Sequence, residues 1–452
     1  MKSMTVREIT DAVGGTLLCG DPDTVVTNVQ YDSRAVTDGS LFVPIRGEKV
    51  DAHKFIEQCM ENGAATFTEY DAPEGAERPF IKVDNTIAAL QRLAAAYRAG
   101  FPDLKLIGVT GSVGKTSTKE MIAAALSKGF DVMKTSGNKN SQIGMPSTMF
   151  DISDENEAAV IEMGISEFGE MDRLCDISRP SIAVMTNIGT AHIENLGTQE
   201  NIRAEKFRIT KHFTPDSVLF VNGDDALLAE LVGKQSFGTV SFGIGTDNDY
   251  HAQDIVTEGF STTFRCIGAG RERSFSIPAL GRHSVTNALA AVAIARHLGL
   301  DDDVIQAGLS TYKNAPMRQQ IHQCEGFTLI DDSYNASPEA TKVSLDVLKS
   351  ISKGKSIAVL ADMLELGEQS AALHRGVGEH LALIGIDTLI AIGEHSRNTA
   401  KGALDCGCKE VYTADSNDEA YAKLRELLTD GCTILVKGSR GMHTDEIVKK
   451  LI

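Results

Sequence analysis

The chain has 452 residues, of which 42% are hydrophobic, and a formal net charge of −18 at pH 7. This length gives room for about three domains of ordinary size, and the hydrophobic content excludes a disordered protein. The acidic excess argues against general binding to nucleic acid or to an anionic membrane surface. Anionic ligands would therefore need local positive pockets.

The N-terminal residues lack the apolar core of a signal peptide, and no apolar run reaches the roughly 18 residues that a membrane span needs. Eight cysteines are scattered along the chain, and only Cys406 and Cys408 are neighbours, which is a poor zinc signal. We therefore expect reduced thiols in the cytoplasm and no stable membrane insertion. A monomer is the default expectation.

Residues 1–100 are predicted to form a first α/β unit. A strand-like stretch, 41–45, precedes a polar loop, 46–51, and a helix at 53–62 that ends at Gly63. A second amphipathic helix is predicted at 86–99. A linker at 101–103 then leads into the next unit.

The second predicted unit, residues 101–314, begins with the stretch LKLIGVTGSVGKTSTKEM at 104–121. Its apolar run predicts a buried parallel strand, and a Gly-rich turn leads into a helix that starts near Lys115. Gly111 and Gly114 allow backbone N–H groups to point at an anion, which the helix N-terminus also favours. Lys115 can reach outer phosphates and the Thr116 hydroxyl can hold Mg²⁺.

These features predict a nucleotide phosphate cradle formed by Gly111, Ser112, Val113, Gly114, Lys115, Thr116 and Ser117. The cradle departs from the G-x-x-x-x-G-K-[ST] pattern, because Val109 stands where the first glycine is expected. A chance Gly-rich turn is the alternative. The flanking strand and helix and the Lys-Thr pair favour the cradle.

Strands and helices alternate through the rest of this unit. Strands are predicted at 158–161, 181–186 and 218–221, and helices at 167–175 and 199–213. Such alternation indicates a parallel sheet with ligands at the carboxyl ends of the strands. Residues 239–277 resemble an antiparallel insertion, and an Ala-rich helix is predicted at 287–298.

The third predicted unit, residues 315–452, is a βα series with a Rossmann-like layout. Its strands are predicted at 328–331, 357–360, 388–392, 410–412 and 433–436. It lacks a G-x-G-x-x-G turn after the first strand, so dinucleotide binding is not expected. The predicted fold class is therefore α/β in three domains, the central one a P-loop ATPase-like parallel sheet.

Four further side chains could carry chemistry, each with an ordinary alternative. Glu162 follows a predicted strand and suits a Mg²⁺ ligand. His192 could bind a second Mg²⁺, but a lone histidine is more often an ordinary polar residue. Lys206 lies on a helix, where a lysine is usually solvated. Arg34 could bind a phosphate or could be a solvated loop residue.

Several motifs together resemble the Mur ligase family along almost the whole chain. They are DSRAVTDGSLFVPIRGEKVDAHKF, TGSVGKTSTK, GNKNSQIGMP, EMGISEFGEM, TNIGTAHIENLGT, AEKFRI, GRHSVTNALAA, DDSYNASPEA, ADMLELGE and VKGSRGMHTDEIV. DDSYNASP and DMLELG resemble the member that forms the last amide bond. The resemblance implies that ATP phosphorylates the C-terminal carboxylate of UDP-N-acetylmuramoyl-tripeptide, and that the amine of D-alanyl-D-alanine attacks the acyl phosphate.

The resemblance also implies roles for individual residues. Thr116 and Glu162 would hold Mg²⁺ on the β- and γ-phosphates, while His192 and a carbamylated Lys206 would serve a second Mg²⁺. Asn140 would orient the reacting carboxylate or the γ-phosphate. Adenine and ribose would contact Asn287, Arg318, Asp332 and Asn335. An N-terminal uridine-binding domain would hold the uridine diphosphate with Ser33, Arg34 and the loop from Gly47 to His53.

Two alternatives stay open at this point. A folylpolyglutamate synthetase-like ligase would share the cradle and the central unit, but such enzymes begin almost directly with the cradle, whereas this chain has about 100 residues before it. A P-loop switch protein would hydrolyse nucleotide without needing Glu162, His192 and Lys206.

Overall fold

The computed structural model describes residues 1–47 and 50–452. Glu48 and Lys49, which belong to the predicted polar loop 46–51, lie outside the described residues. Three main sheets of five, nine and six strands follow one another along the chain. Within the described ranges, no helix combines the length and hydropathy needed to cross a bilayer. The predicted α/β class with three successive units is confirmed, whereas the bounds 1–100, 101–314 and 315–452 stay predictions.

The N-terminal unit contains a five-stranded sheet of order β2-β7-β6-β5-β4 and a small β1-β3 pair. Its strands are β1 Met4–Thr5, β2 Thr16–Cys19, β3 Val25–Val26, β4 Asn28–Gln30, β5 Ser40–Phe42, β6 Ala65–Thr68 and β7 Phe80–Lys82. Its helices are α1 Val6–Val13, α2 Ile56–Met60 and α3 Thr86–Ala99, with 3₁₀ turns at Ser33–Ala35 and Ala52–Phe55.

Two predicted elements of this unit are shorter than expected. The strand predicted at 41–45 ends at Phe42, shortly before Pro44, which has no backbone N–H for a ladder. The helix predicted at 53–62 begins as a 3₁₀ turn, because the Asp51 carboxylate caps His53 N–H, and its α-helical part ends at Met60. Helix α3 has the predicted bounds.

The central unit is a nine-stranded sheet of order β16-β15-β14-β13-β12-β11-β8-β10-β9. Its strands are β8 Lys105–Thr110, β9 Val132–Lys134, β10 Ala158–Glu162, β11 Ile182–Met185, β12 Val218–Asn222, β13 Gly238–Gly243, β14 Tyr250–Glu258, β15 Ser261–Gly268 and β16 Arg271–Ile277. Its helices are α4 Lys115–Leu126, α5 Gly144–Met149, α6 Glu170–Ser178, α7 Ile193–Leu196, α8 Gln199–Phe207, α9 Ala226–Ala229, α10 Arg282–His297 and α11 Asp302–Leu309.

The antiparallel insertion predicted at 239–277 is confirmed for β14, β15 and β16. It extends the main sheet, and β13 pairs in parallel with both β12 and β14. Only β14, β15 and β16 pair antiparallel. Alternation of apolar and polar residues specifies which face of a strand is buried but not the direction of its neighbour.

Three central helices differ from their predicted bounds. The Ala-rich helix predicted at 287–298 runs from Arg282 to His297. The helix predicted at 167–175 begins at Glu170, after Gly169 takes a left-handed φ of 78°. The helix predicted at 199–213 ends at Phe207 and tightens into a 3₁₀ turn at Arg208–Thr210. Such tightening is common in the last turn of a helix.

The C-terminal unit is a six-stranded sheet of order β17-β18-β22-β19-β20-β21. Its strands are β17 Gln320–Cys324, β18 Phe327–Asp331, β19 Ser356–Ala361, β20 Thr388–Ile392, β21 Glu410–Ala414 and β22 Cys432–Lys437. Its helices are α12 Pro338–Ile351, α13 Ser370–Leu383, α14 Ser396–Asp405, α15 Asn417–Leu427 and α16 Asp445–Leu451, with 3₁₀ turns at Gly367–Gln369 and Arg440–Met442. The edge strand β17, which is mostly polar and antiparallel to β18, escaped prediction.

Strand β8 lies between β10 and β11, and its register places functional residues at one edge of the sheet. Glu162 pairs with Val109, and Met185 pairs with Thr110. The Ala-rich helix α10 packs on α4, since its buried alanines allow close approach. The carboxyl ends of β8, β10 and β11 therefore meet where α4 begins.

Candidate active site

A cleft of about 520 Å³ lies between the central and C-terminal units. The structure brings most of the predicted site residues to its walls: Ser112, Val113, Gly114, Lys115, Thr116, Ser117, Asn140, Glu162, His192, Asn287, Arg318, Asp332 and Asn335. Gly111 and Lys206 are not among its lining residues. Ser33, Arg34, Gly47 and His53 belong to the N-terminal unit and do not line this cleft.

The turn between β8 and α4 has the geometry of a phosphate cradle. Gly111 and Gly114 take φ values of 150° and 83°, and a Cβ on Gly111 would collide with the Thr186 hydroxyl. Lys115 Nζ donates to the Gly111 carbonyl at 2.8 Å and to the Ser112 carbonyl at 3.3 Å. Burial lowers the pKa of Lys115, and the nearby Glu162 carboxylate opposes that shift.

Only one of the two oxygens of the Glu162 carboxylate has a hydrogen-bond donor. Asn140 Nδ2 donates to its Oε1 at 2.7 Å. Its Oε2 is buried and accepts no hydrogen bond from the residues that the structure describes, and Lys119 Nζ lies 3.9 Å from it. A buried carboxylate oxygen without a donor fits a hard cation, so the residues present fit Mg²⁺.

No group of three or more His, Cys, Asp and Glu side chains that could hold a metal ion occurs within residues 1–47 and 50–452. Mg²⁺ at nucleotide sites is held by one or two side chains, the phosphates and water. The ligands that the protein would contribute are the Glu162 carboxylate and the hydroxyl of Thr116, at the start of α4.

Lys206 on α8 is unusual for a helical lysine because the residue is only 1% exposed. Its Nζ has no hydrogen-bond partner among the described residues. Burial, and then the charge of Lys115, lower the pKa of Lys206 well below its ordinary value, although Glu205 and Glu170 act in the opposite direction. A buried amine with a depressed pKa is neutral more often and can act as a nucleophile.

His192 marks a contact between the two units that form the cleft. It has a left-handed φ of 62°, and its Nδ1 lies 2.6 Å from Oε2 of Glu365 in the C-terminal unit. The imidazole lowers the pKa of Glu365. Nearby, Thr190 N and Oγ1 donate to Glu339 Oε1 at 3.1 and 3.0 Å. These contacts place the C-terminal unit next to the end of β11.

The predicted nucleotide residues of the C-terminal unit are already engaged with their neighbours. The Arg318 guanidinium lies 4.0 Å from the centre of the Tyr334 ring, which is a cation–π contact. Asp332 Oδ2 accepts from Lys437 Nζ at 2.5 Å and from Ser344 Oγ at 2.6 Å. On the central side, Asn287 Oδ1 accepts from Thr118 Oγ1 at 3.0 Å.

Sequence reasoning missed several charged side chains at or beside the cleft, among them Lys119, Glu339, Glu365 and Lys437. Lys119 lies one helical turn after Lys115, and an i, i+4 spacing places both on one face of α4. Lys437 ends a predicted strand, where functional residues of parallel sheets concentrate. Glu339 and Glu365 contact residues on the opposite side of the cleft. No local sequence pattern predicts such a contact.

We expect Lys437→Met to destabilise the protein strongly. The side chains of Lys437 and Asp332 are 3% and 8% exposed, so the variant leaves a buried carboxylate without its cation. Breaking a buried pair in this way costs about 3–5 kcal/mol, which urea unfolding would measure. Lys355→Met is the matched control, because the Lys355–Glu410 pair is more exposed and should be worth at most about 1 kcal/mol. Equal losses in both variants would contradict the prediction.

The predicted uridine diphosphate residues form small polar clusters in the N-terminal unit. The Arg34 side chain is 88% exposed, and its Nε and Nη2 donate to Asp32 at 2.9 and 2.7 Å. These bonds lower the pKa of Asp32 to about 2. His53 Nδ1 lies 2.6 Å from Asp51. The substrate roles of Ser33, Arg34, Gly47 and His53 stay predictions.

The fold and the cleft define a nucleotide-binding protein of the P-loop class whose C-terminal unit closes over the phosphate cradle. Family models described as the Mur ligase family catalytic domain, the Mur ligase middle domain, and the Mur ligase glutamate ligase domain match residues 25–98, 109–295 and 317–440. The chain belongs to the Mur ligase family.

Individual relatives match over the whole chain. The UDP-N-acetylmuramoyl-tripeptide–D-alanyl-D-alanine ligase of Bacillus subtilis is 38% identical and is aligned over 100% of this chain and 99% of its own length. The crystal structure I of MurF from Acinetobacter baumannii has a TM-score of 0.93 at 31% identity and covers 100% and 99% of the two chains. MurF from Thermotoga maritima, solved in complex with ADP, has a TM-score of 0.84 at 28% identity and covers 94% and 97%.

Proposed function

We propose that this chain is an ATP-dependent, ADP-forming ligase that joins D-alanyl-D-alanine to UDP-N-acetylmuramoyl-tripeptide in peptidoglycan precursor synthesis. The observation that carries the proposal is the cleft in which the phosphate cradle, Glu162 and the C-terminal nucleotide residues face one another. The full-length similarity to the Bacillus subtilis ligase of that name supports the choice of substrates.

The reaction has an electrostatic problem that the cleft residues address. A substrate carboxylate and the ATP triphosphate are both anionic, so their approach is unfavourable in a partly dry site. Lys115 supplies a buried positive charge at the cradle, and the helix N-terminus of α4 adds its partial charge. Asn140 orients the reacting carboxylate or the γ-phosphate. Catalysis then consists mainly of charge neutralisation and positioning, as in other phosphoryl transfers.

We assign two Mg²⁺ positions to this site. Thr116 and Glu162 would hold the ion shared with the β- and γ-phosphates, which is supported by the unpartnered Glu162 Oε2. His192 and Lys206 would serve the second. Lys206 would first react with carbon dioxide: its amine nitrogen forms a bond to carbon and loses a proton, giving an anionic carbamate. Mg²⁺ held by these residues would supply positive charge to balance the charge that develops on the transferred phosphoryl group.

The remaining contacts distribute the two large substrates over the units. Asn287, Arg318, Asp332 and Asn335 would hold adenine and ribose, since all four line the cleft beyond the cradle. Arg34, which is exposed on the N-terminal unit, would bind a phosphate of the uridine diphosphate through two parallel hydrogen bonds from its guanidinium. Ser33, Gly47 and His53 would complete that subsite.

We also propose that the protein acts as a monomer in the cytoplasm. All eight cysteines are free, which suits a reducing compartment. UDP-N-acetylmuramoyl-tripeptide is anionic and carries no lipid, so the enzyme would bind it from aqueous solution.

The test is phosphate release with ATP, the UDP-linked tripeptide and D-alanyl-D-alanine, followed by mass spectrometry of the product. We expect sustained release only when all three are present, with one amide formed per phosphate. Omitting each substrate in turn provides the matched controls. Release that ignores the dipeptide would favour a nucleotide switch, and ligation of glutamate to a folate would favour the folylpolyglutamate synthetase-like alternative. Either result would overturn the proposal.

A further inference from the structure

The loop that follows β19 crosses the cleft and meets the central unit. Glu365 extends from this loop to His192, with 2.6 Å between Oε2 and Nδ1. Both residues have left-handed backbone conformations, with φ of 63° for Glu365 and 62° for His192. Such conformations are costly for residues other than glycine and cluster at functional sites. Two strained residues on different units therefore meet across the cleft.

The Glu365 loop is anchored at three successive residues. Asp362 accepts from Ser396 N at 2.7 Å, Met363 N donates to His374 Nε2 at 3.0 Å, and Leu364 N donates to Ser439 Oγ at 2.9 Å. On the far side, Gly367 packs on Glu194, beside the short helix α7. Because the loop is fixed from both sides, Glu365 is held in its strained conformation.

We propose that Glu365 is a positioning residue that orients the His192 imidazole when the C-terminal unit closes on the central unit. The inference rests on the proposed function. Oε2 of Glu365 lies 2.6 Å from Nδ1, but the contact is outside hydrogen-bond geometry, and Nδ1 has no hydrogen-bond partner among the described residues. If Glu365 accepts the Nδ1 proton as a hydrogen bond, the Nε2 lone pair is left free. Histidines that bind metal ions usually donate their second ring N–H to a carboxylate or a carbonyl, which fixes the ring.

The exposure of the pair separates this role from a structural one. The Glu365 side chain is 58% exposed and that of His192 is 25% exposed. Exposed ion pairs contribute little to stability, so the contact is too weak to hold the two units together. The consequence of the contact therefore falls on the orientation of the His192 ring.

The test compares Glu365→Ala and Glu365→Gln with Glu368→Ala. Glu368 lies three residues further along the same loop, is exposed, and makes no hydrogen bond or ion pair with the described residues. The first measurement is a long-range ¹H–¹⁵N spectrum of histidine-labelled protein with ADP and Mg²⁺, in which His192→Gln assigns the signal. We expect the His192 ring signals to move in Glu365→Ala and to stay in place in Glu368→Ala.

The second measurement is the kinetics of ligation as a function of Mg²⁺. Losing a partner that orients a metal-binding histidine typically costs about 10–100-fold in affinity or activity. We therefore expect Glu365→Ala to lower kcat and to raise the half-saturating Mg²⁺ concentration by about tenfold each. KM for D-alanyl-D-alanine should stay unchanged. For Glu365→Gln, we expect kcat and the half-saturating Mg²⁺ concentration to lie between those of the unmodified protein and of Glu365→Ala. The amide oxygen of glutamine can still accept a hydrogen bond from Nδ1.

Unmoved His192 signals together with an unchanged Mg²⁺ dependence in Glu365→Ala would overturn the inference. Equal effects in Glu368→Ala would overturn it too, since they would reflect the net charge of the loop. A lowered melting temperature in Glu365→Ala alone, without these signatures, would count against it as a structural effect. Absence of ligation in the unmodified protein would instead refute the proposed function, while the spectrum would still report on the Glu365–His192 contact.

Discussion

Lys115→Ala should lower ligation by about 10²–10³-fold while leaving the protein folded. Removing one preorganised group that stabilises transition-state charge costs about 10²–10³-fold, and Lys115 is the lysine of the cradle that lines the cleft. Its Nζ bonds only to carbonyls of its own turn, so the variant breaks no contact between units. Phosphate release measures the activity, and thermal unfolding measures the stability.

Lys105→Ala is the matched control for this variant. Lys105 stands at the start of β8, the strand whose other end leads into the cradle, and its ammonium lies 5.1 Å from the centre of the Phe130 ring. We expect its loss to leave turnover unchanged, because it does not line the cleft. Near-normal turnover in Lys115→Ala would contradict the cradle assignment.

Lys206→Ala should lower activity by at least about 100-fold, more than the cost of losing a residue that only supports a metal ligand. The variant removes the amine that would become the carbamate, and nothing else in the described structure hydrogen-bonds to its Nζ. Short carboxylic acids such as acetate should restore part of the activity, since they supply anionic oxygens. Lys206→Arg should also be inactive, because it keeps the cation and cannot be carbamylated in the same way.

The control for Lys206 is Lys211→Ala. Lys211 follows the same helical segment, is partly exposed, and pairs with Asp176, so its loss should leave ligation unchanged. Removal of carbon dioxide from the buffer should lower the activity of the unmodified enzyme, and bicarbonate should restore it. Normal rates in Lys206→Ala at ordinary Mg²⁺ would refute the carbamate proposal.

Local signals in the sequence were enough for the cradle and for most of the βα series. A β-branched run, a Gly-rich turn and a Lys-Thr pair are consecutive in the chain, and β8 and α4 lie where they predict. Helix α3 keeps its predicted bounds because its capping Asn85 and its apolar face are both local. The edge strand β17 was missed because it is mostly polar and is defined by its pairing with β18. The residues of β13 likewise did not indicate that it pairs in parallel on both sides.

The sequence by itself determined the order of the three units, the phosphate cradle and the residue types available for chemistry. Each of these features depends only on residues that are close together in the chain. Tertiary structure alone decided which of those residues meet. The register of β8 with β10 brings Glu162 to the cradle, and closure of the C-terminal unit brings Glu339 and Glu365 to Thr190 and His192. The two contacts across the cleft join residues more than 140 positions apart in the chain. They therefore arise from the packing of whole units and not from a local pattern.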